Sequence, residues 1–192
     1  MATFAQAFSL LSLILQIHLF SAGNAKTLTI INNCSYTVWP AIATSSGTGS
    51  ANVFGFALHE GESSVVAIST EWNGRVWGRT LCSINKSTGH FSCQTGVCTT
   101  GNIQCTSSYI TPVTLAEFSL GQFNNEDFYD VSVLAGYNLP LLVAPSVASL
   151  PGCKVIGYVF DLQKSCQLAK LRVISVSVVG KVTKTRRCDS SL

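Results

Sequence analysis

Gly89–Cys105 reads GHFSCQTGVCTTGNIQC, with cysteines at 93, 98 and 105 set among glycines, threonines and one phenylalanine. That spacing is too tight for a helix or an apolar core to organise. It describes small loops closed by disulfides. The 192-residue chain holds eight cysteines, none in a CxxC pair or near a His at metal-ligand spacing. The three His are His18, His59 and His90. No metal and no cofactor are therefore expected.

Outward from this block, the flanking segments read as short strands. In KTLTIINNCSYTVWP (26–40), Leu28 and Ile30 alternate with Thr27, Thr29 and Ile31, and Tyr36 and Val38 with their neighbours. β-Branched and aromatic residues at period two predict β-structure. ESSVVAIST (62–70), RVWGR (75–79), VTLAEFSL (113–120), FYDVSVL (128–134) and RVISVSVV (172–179) repeat the pattern. None carries the caps or the 3.6-residue period of a helix. Turn-separated short strands predict an all-β sandwich or barrel in one domain. Residues 141–152 are apolar with two prolines, and Cys153–Cys166 reads as an irregular segment.

Residues 1–25 hold an apolar run from Phe8 to Phe20 and a small-residue exit. They are expected to be a secretory leader cleaved after Ala25, since the run is shorter than the ~20 residues of a membrane span. The expected location is extracellular, in the apoplast or the vacuole, with no stable membrane anchor. Residues 26–163 carry five Lys/Arg and eight Asp/Glu, and residues 164–192 seven Lys/Arg and one Asp. The acidic body has no basic stripe interleaved with aromatics, so nucleic acid is not an expected partner. The expected state is a monomer.

Strand periodicity also places charge. Arg75, Trp77 and Arg79 share one side of their strand, Glu117 one side of the next, and Asp130 with Ser132 one side of a third. If these strands are neighbours, Arg75, Glu117 and Asp130 line one polar cleft. Two carboxyls across a sugar suit glycosidic hydrolysis, with Glu117 and Asp130 as the catalytic candidates. The same cleft suits sugar binding without cleavage, and solvated outer-face charge is the remaining alternative.

These segments resemble the thaumatin-like proteins, pathogenesis-related protein family 5. Gly89, Phe91, Cys93, Thr95, Gly96, Cys98, Gly101 and Cys105 match the family's disulfide block. IINNCSYTVWPA, GRVWGRTLC, TPVTLAEFSLGQFNNEDFYDVSVLAGYN and CKVIG…DLQKSC follow its order from Lys26 to Leu171. The resemblance implies an antiparallel β-sandwich, a disulfide-rich second lobe and an acidic cleft of one Arg, one Glu and three Asp. It implies a secreted plant defence protein, often antifungal, that binds β-1,3-glucan and in some cases hydrolyses it weakly. Arg75, Glu117 and Asp130 fall on the family's Arg, Glu and first Asp.

The chain departs from the family at Val97, which replaces a loop-organising Asp, and at Ala135, which replaces the second cleft Asp. Tyr158 stands where a cysteine is usual, and the segment bearing the third Asp is absent. The sequence thus reads as a leader over 1–25, a thaumatin-like domain over 26–171 whose second lobe is incomplete from about 141, and a divergent basic tail over 172–192. With two carboxylates gone, the neighbours that would raise a carboxyl pKa are expected to be missing, which favours glucan binding over catalysis. The alternatives are a weak endo-β-1,3-glucanase using Glu117 and Asp130, or a truncated product with no activity of its own.

The resemblance implies the disulfides Cys82–Cys93 and Cys98–Cys105. It leaves Cys34, Cys153 and Cys166 without their family partners. RVISVSVV is alternatively a substitute last strand that lets Cys188 bond Cys34. Asn85-Lys86-Ser87 is a glycosylation sequon in an exposed loop, and Asn33-Cys34-Ser35 fits the same rule beside a core strand.

Overall fold

The computed structural model describes residues 25–45, 49–51, 54–105, 108–122, 126–146, 153–158 and 171–174. Among them are ten strands and no helix: β1 (Ala25–Asn32), β2 (Trp39–Thr44), β3 (Ser63–Ser69), β4 (Asn73–Ile84), β5 (Phe91–Thr95), β6 (Leu115–Ser119), β7 (Phe128–Ser132), β8 (Leu141–Ala144), β9 (Ile156–Tyr158) and β10 (Leu171–Ile174). One sheet runs β3-β1-β10-β8-β9, and the other β2-β4-β6-β7, with β5 on the far part of β4. All pairings are antiparallel except β10 with β8, which is parallel. The fold is an all-β sandwich.

Period-two patterning drives the packing. In β1 every second residue is buried, so Leu28 and Ile30 point inward while Thr27, Thr29 and Ile31 stay half-exposed. They join Val66, Ile68, Val76, Ala116, Phe118, Leu141 and Val143 in the core between the sheets. Fully burying a side chain of this size contributes roughly 1.5–3 kcal/mol, so the layer as a whole opposes the chain entropy. Trp72 closes one end of the core, and its indole Nε1 donates to Thr44 Oγ1 at 2.9 Å. Gly74 permits that approach, since a Cβ there would lie 2.3 Å from the Trp72 ring and 2.5 Å from the Ala43 carbonyl oxygen.

The sequence reading and the structure differ in three places. RVWGR extends into a twelve-residue strand, and β5 forms within the segment read as disulfide-closed loops. Residues 141–144 and 156–158, assigned from sequence to an incomplete second lobe and an irregular segment, are β8 and β9 of the sandwich. These strands are three and four residues long, too short to show a period, and pairing to β10 and to each other defines them. Leu171–Ile174 pairs with both β1 and β8, so a strand crosses the boundary drawn at 171. The leader before Ala25 and the tail beyond 174 lie outside the described residues.

Buried polar groups tie the layers. Lys26 on β1 forms an ion pair with Asp127 ahead of β7, and Asp127 also accepts from the Gly121 amide at 2.8 Å. Asn138 Oδ1 accepts from the Thr114 amide, while its Nδ2 donates to Gly78 O and Thr95 Oγ1, each at 2.9 Å. This half-buried amide thereby ties its own loop to three other segments.

Candidate functional site

The outer face of the second sheet carries the site. Register fixes its geometry: Arg75 on β4 pairs with Glu117 on β6, and Glu117 pairs with Asp130 on β7. Ala43 on β2 pairs with Arg75 from the other side. The four residues form one row across four strands. Directly paired residues have Cβ atoms about 4.5–5.5 Å apart, so the Glu117 and Asp130 carboxyls are close neighbours.

Their electrostatics follow from that row. Partial burial, and then the charge of Glu117, raise the Asp130 carboxyl above its ordinary pKa. The expectation that too few neighbours remain to raise a carboxyl is therefore corrected: burial and one opposed Glu suffice. Arg75 does not neutralise the pair. Among the described residues no ion pair joins it to Glu117 or Asp130, and the Arg75 guanidinium lies over the Tyr109 ring, 5.7 Å from its centroid. The positive group is spent on an aromatic face, and the two carboxyls keep their mutual repulsion.

Tyr109 is the residue that sequence reasoning missed. It lies on an irregular segment and is brought in by a single bridge to Cys98 and by edge packing on Trp77, with ring centroids 5.5 Å apart. Beside it opens a cavity of about 390 Å³ lined by Phe54, Arg75, Trp77, Ser108 and Tyr109 among others. Ala135, at the second-Asp position, packs against the same apolar cluster of Trp77, Val113 and Leu115. The row thus runs from two carboxyls, through Arg75, to an aromatic-lined hollow.

The Gly89–Cys105 block reaches this hollow at Cys105, which lines it together with Ser108 and Tyr109. Cys82 is bonded to Cys93 across β4 and β5, and Cys98 to Cys105. Val97 supplies no carboxylate, and the loop is held by other means. The Ile110 amide donates to Val97 O at 2.8 Å, and Trp77 Nε1 donates to Gly96 O at 2.8 Å.

Arg79 completes the anchoring. Although it shares a strand face with Arg75, it is 0% exposed. Its guanidinium donates to the carbonyls of Trp39, Pro40 and Asn102 at 2.9, 3.0 and 3.2 Å, and lies 4.9 Å from the Phe91 centroid. Burial pulls its pKa down to about 10, so it remains charged near neutrality. Cys153, which the resemblance leaves without its family partner, is disulfide-bonded. Cys34 is buried, and its proposed partner Cys188 lies outside the described residues.

No group of three or more His, Cys, Asp or Glu among the described residues is arranged to hold a metal. No helix among them is long and apolar enough to cross a membrane. Chemically, the site offers hydroxyl-binding carboxyls and a cation beside an aromatic face. Sugar rings use both kinds of contact.

Comparison with known proteins gives three kinds of match. The Thaumatin family model matches residues 32–191. The PR5-like receptor kinase of Arabidopsis thaliana is 44% identical over 176 residues, covering 90% of this chain and 26% of the kinase. A protein of Prunus avium named glucan endo-1,3-beta-glucosidase is 42% identical over 136 residues, covering 70% of this chain and 55% of that protein. Among solved structures, the thaumatin-like xylanase inhibitor TLXI superposes with a TM-score of 0.55 at 28% identity, covering 76% of this chain and 96% of the inhibitor. The chain spans about a quarter of the kinase and little more than half of the glucosidase.

Proposed function

The chain belongs to the thaumatin family, and from that premise we propose that it is a secreted, defence-type protein that binds β-1,3-glucan or a related cell-wall polysaccharide without efficiently cleaving it. The observation that carries this reading is the single row Arg75–Glu117–Asp130 beside the hollow of Phe54, Trp77 and Tyr109. Carboxylates accept hydrogen bonds from sugar hydroxyls, and an aromatic ring covers the apolar face of a pyranose. The identity shared with a relative named for a β-1,3-glucan supports that ligand class.

Geometry separates binding from hydrolysis. Glycosidases set an acid on one side of the scissile bond and a base or nucleophile on the other. Glu117 and Asp130 rise from adjacent strands of one sheet face, so a sugar chain laid across the row meets both from the same side.

One observation favours a second reading, weak endo-β-1,3-glucanase activity. The raised Asp130 carboxyl is suited to hold the proton that a leaving oxygen needs, with the Glu117 carboxyl opposite it across the β6–β7 ladder. Affinity precipitation on insoluble β-1,3-glucan, run together with a reducing-sugar assay, tests both. Binding without release supports the first reading, and release abolished by Glu117→Gln supports the second. Capture of a xylanase in place of the polysaccharide would point instead to a protein partner, the activity named for TLXI.

A further inference from the structure

We propose that Asn85, at the tip of the β4–β5 hairpin, is an N-glycosylation site, and that Asn33, in the chain's other sequon, is left unmodified. The proposal rests on the expectation that residues 1–25 direct the chain into the secretory pathway, and it is independent of what the cleft binds.

The hairpin is built to present its tip. β4 and β5 pair from Thr80 opposite Thr95 out to Ile84 opposite Phe91, with the Cys82–Cys93 disulfide between. Beyond Ile84 the chain turns through Asn85–His90, and all six of these residues are exposed. The Asn85 amide donates to His90 O at 2.9 Å and the Gly89 amide to Asn85 O at 2.8 Å. Gly89 turns the chain at φ +71°, a conformation that costs a residue with a Cβ more than it costs glycine.

The Asn85 side chain is held by its oxygen. Oδ1 accepts from the Ser87 amide at 2.9 Å and from the Thr88 amide at 3.1 Å. This Asx turn fixes the side chain through the acceptor and leaves Nδ2, the atom that takes a glycan, unbonded among the described residues. In the transfer step, Nδ2 attacks the anomeric carbon of a lipid-pyrophosphate oligosaccharide. A C–N bond forms, the C–O bond to the pyrophosphate breaks, the lipid pyrophosphate departs and Nδ2 loses one proton.

Asn33-Cys34-Ser35 satisfies the same sequence rule in a different setting. Asn33 is exposed, but Cys34 beside it is fully buried, and the Cys34 amide donates to Asn32 Oδ1 at 2.9 Å. Asn32 in turn donates from Nδ2 to Tyr36 O and Leu58 O at 2.8 and 2.9 Å. Presenting this sequon as an open peptide requires withdrawing Cys34 from the core and breaking all three bonds.

The placement also spares the cleft. Arg75 and Asn85 are ten residues apart at opposite ends of β4, at most about 33 Å by the usual rise and shortened by the turn of the chain at Leu81 (φ +51°). The exposed Ile84 lies next to the glycan instead.

The test is to secrete the full-length chain from a eukaryotic host, treat it with a peptide N-glycosidase and map the modified peptide by mass spectrometry. One glycan at Asn85 is expected, lost in both Asn85→Gln and Ser87→Ala and kept in Asn33→Gln. Ser87→Ala retains the Asx turn, so it separates loss of the acceptor sequence from loss of the fold. Polysaccharide retention of the glycosylated and deglycosylated forms is expected to agree within about twofold, ~0.4 kcal/mol. A full-length chain with no glycan, in the medium or in the cells, overturns the proposal, and so does a glycan mapped to Asn33.

Discussion

Glu117 and Asp130 face each other directly across the β6–β7 ladder, on the outer face of the sandwich, while Arg75, Glu117's partner on the opposite side, turns to the ring of Tyr109. Two acids are thereby held side by side without a cation between them. The following expectations rest on that row and on the loop that frames it.

Asp130 should make stability fall as pH rises. Its folded-state pKa is raised by burial and by Glu117. The folded state thus binds the proton more tightly than the unfolded state, and the contribution is fully present below the unfolded pKa near 4 and lost as pH climbs through the folded value. Asp130→Asn is expected to raise Tm at pH 7 relative to the parent and to lose that advantage at pH 3. Thermal scans across this range check it, and a variant less stable at pH 7 contradicts it.

Arg79 should be structural and irreplaceable by lysine. Its planar fork donates to three carbonyls from a fully buried position. Arg79→Ala strands those acceptors at roughly 1–3 kcal/mol apiece, for a total loss of about 3 kcal/mol or more. Arg79→Lys supplies a point charge without the fork and is expected to recover less than half of that. Chemical denaturation of the three proteins measures both values.

The two disulfides should differ in what they protect. Each closes a short loop, and in the chain-entropy model each contributes about 2.5 kcal/mol. Paired Cys→Ala changes at 98 and 105 are expected to lower stability by about that amount and to weaken polysaccharide retention, because Tyr109 bridges to Cys98. The same changes at 82 and 93 are expected to cost similar stability with retention unchanged. Equal losses of retention would contradict the assignment of the loop to the site.

How much of this was legible before the structure depends on the period of each segment. RVWGR, VTLAEFSL and FYDVSVL each alternate over five residues or more, so Arg75, Glu117 and Asp130 could be assigned to faces. Their register needed coordinates. Tyr109 sits in a segment without a period, and it reaches Arg75 through Cys98 and Trp77, contacts between residues distant in sequence. Arg79 looked like a second polar residue beside Arg75, and its burial follows from Phe91 on β5 and Asn102 in the loop beyond it. β8 and β9 hold too few residues to alternate visibly, and long-range pairing alone defines them.

The cleft's ligand class is tested most directly by equilibrium binding of soluble β-1,3-glucan to the disulfide-bonded chain, measured on the parent, Arg75→Ala, Tyr109→Ala and Glu117→Gln, with product release followed in the same samples. The Arg75 and Tyr109 changes each remove a sugar contact and are expected to weaken binding roughly tenfold, while the lost Arg75–Tyr109 contact, worth on the order of 1 kcal/mol, lowers Tm by only a few degrees. Little or no sugar is expected to be released by any of the four. Binding indifferent to Arg75 and Tyr109, or turnover that disappears in Glu117→Gln, would contradict a binding cleft at this row.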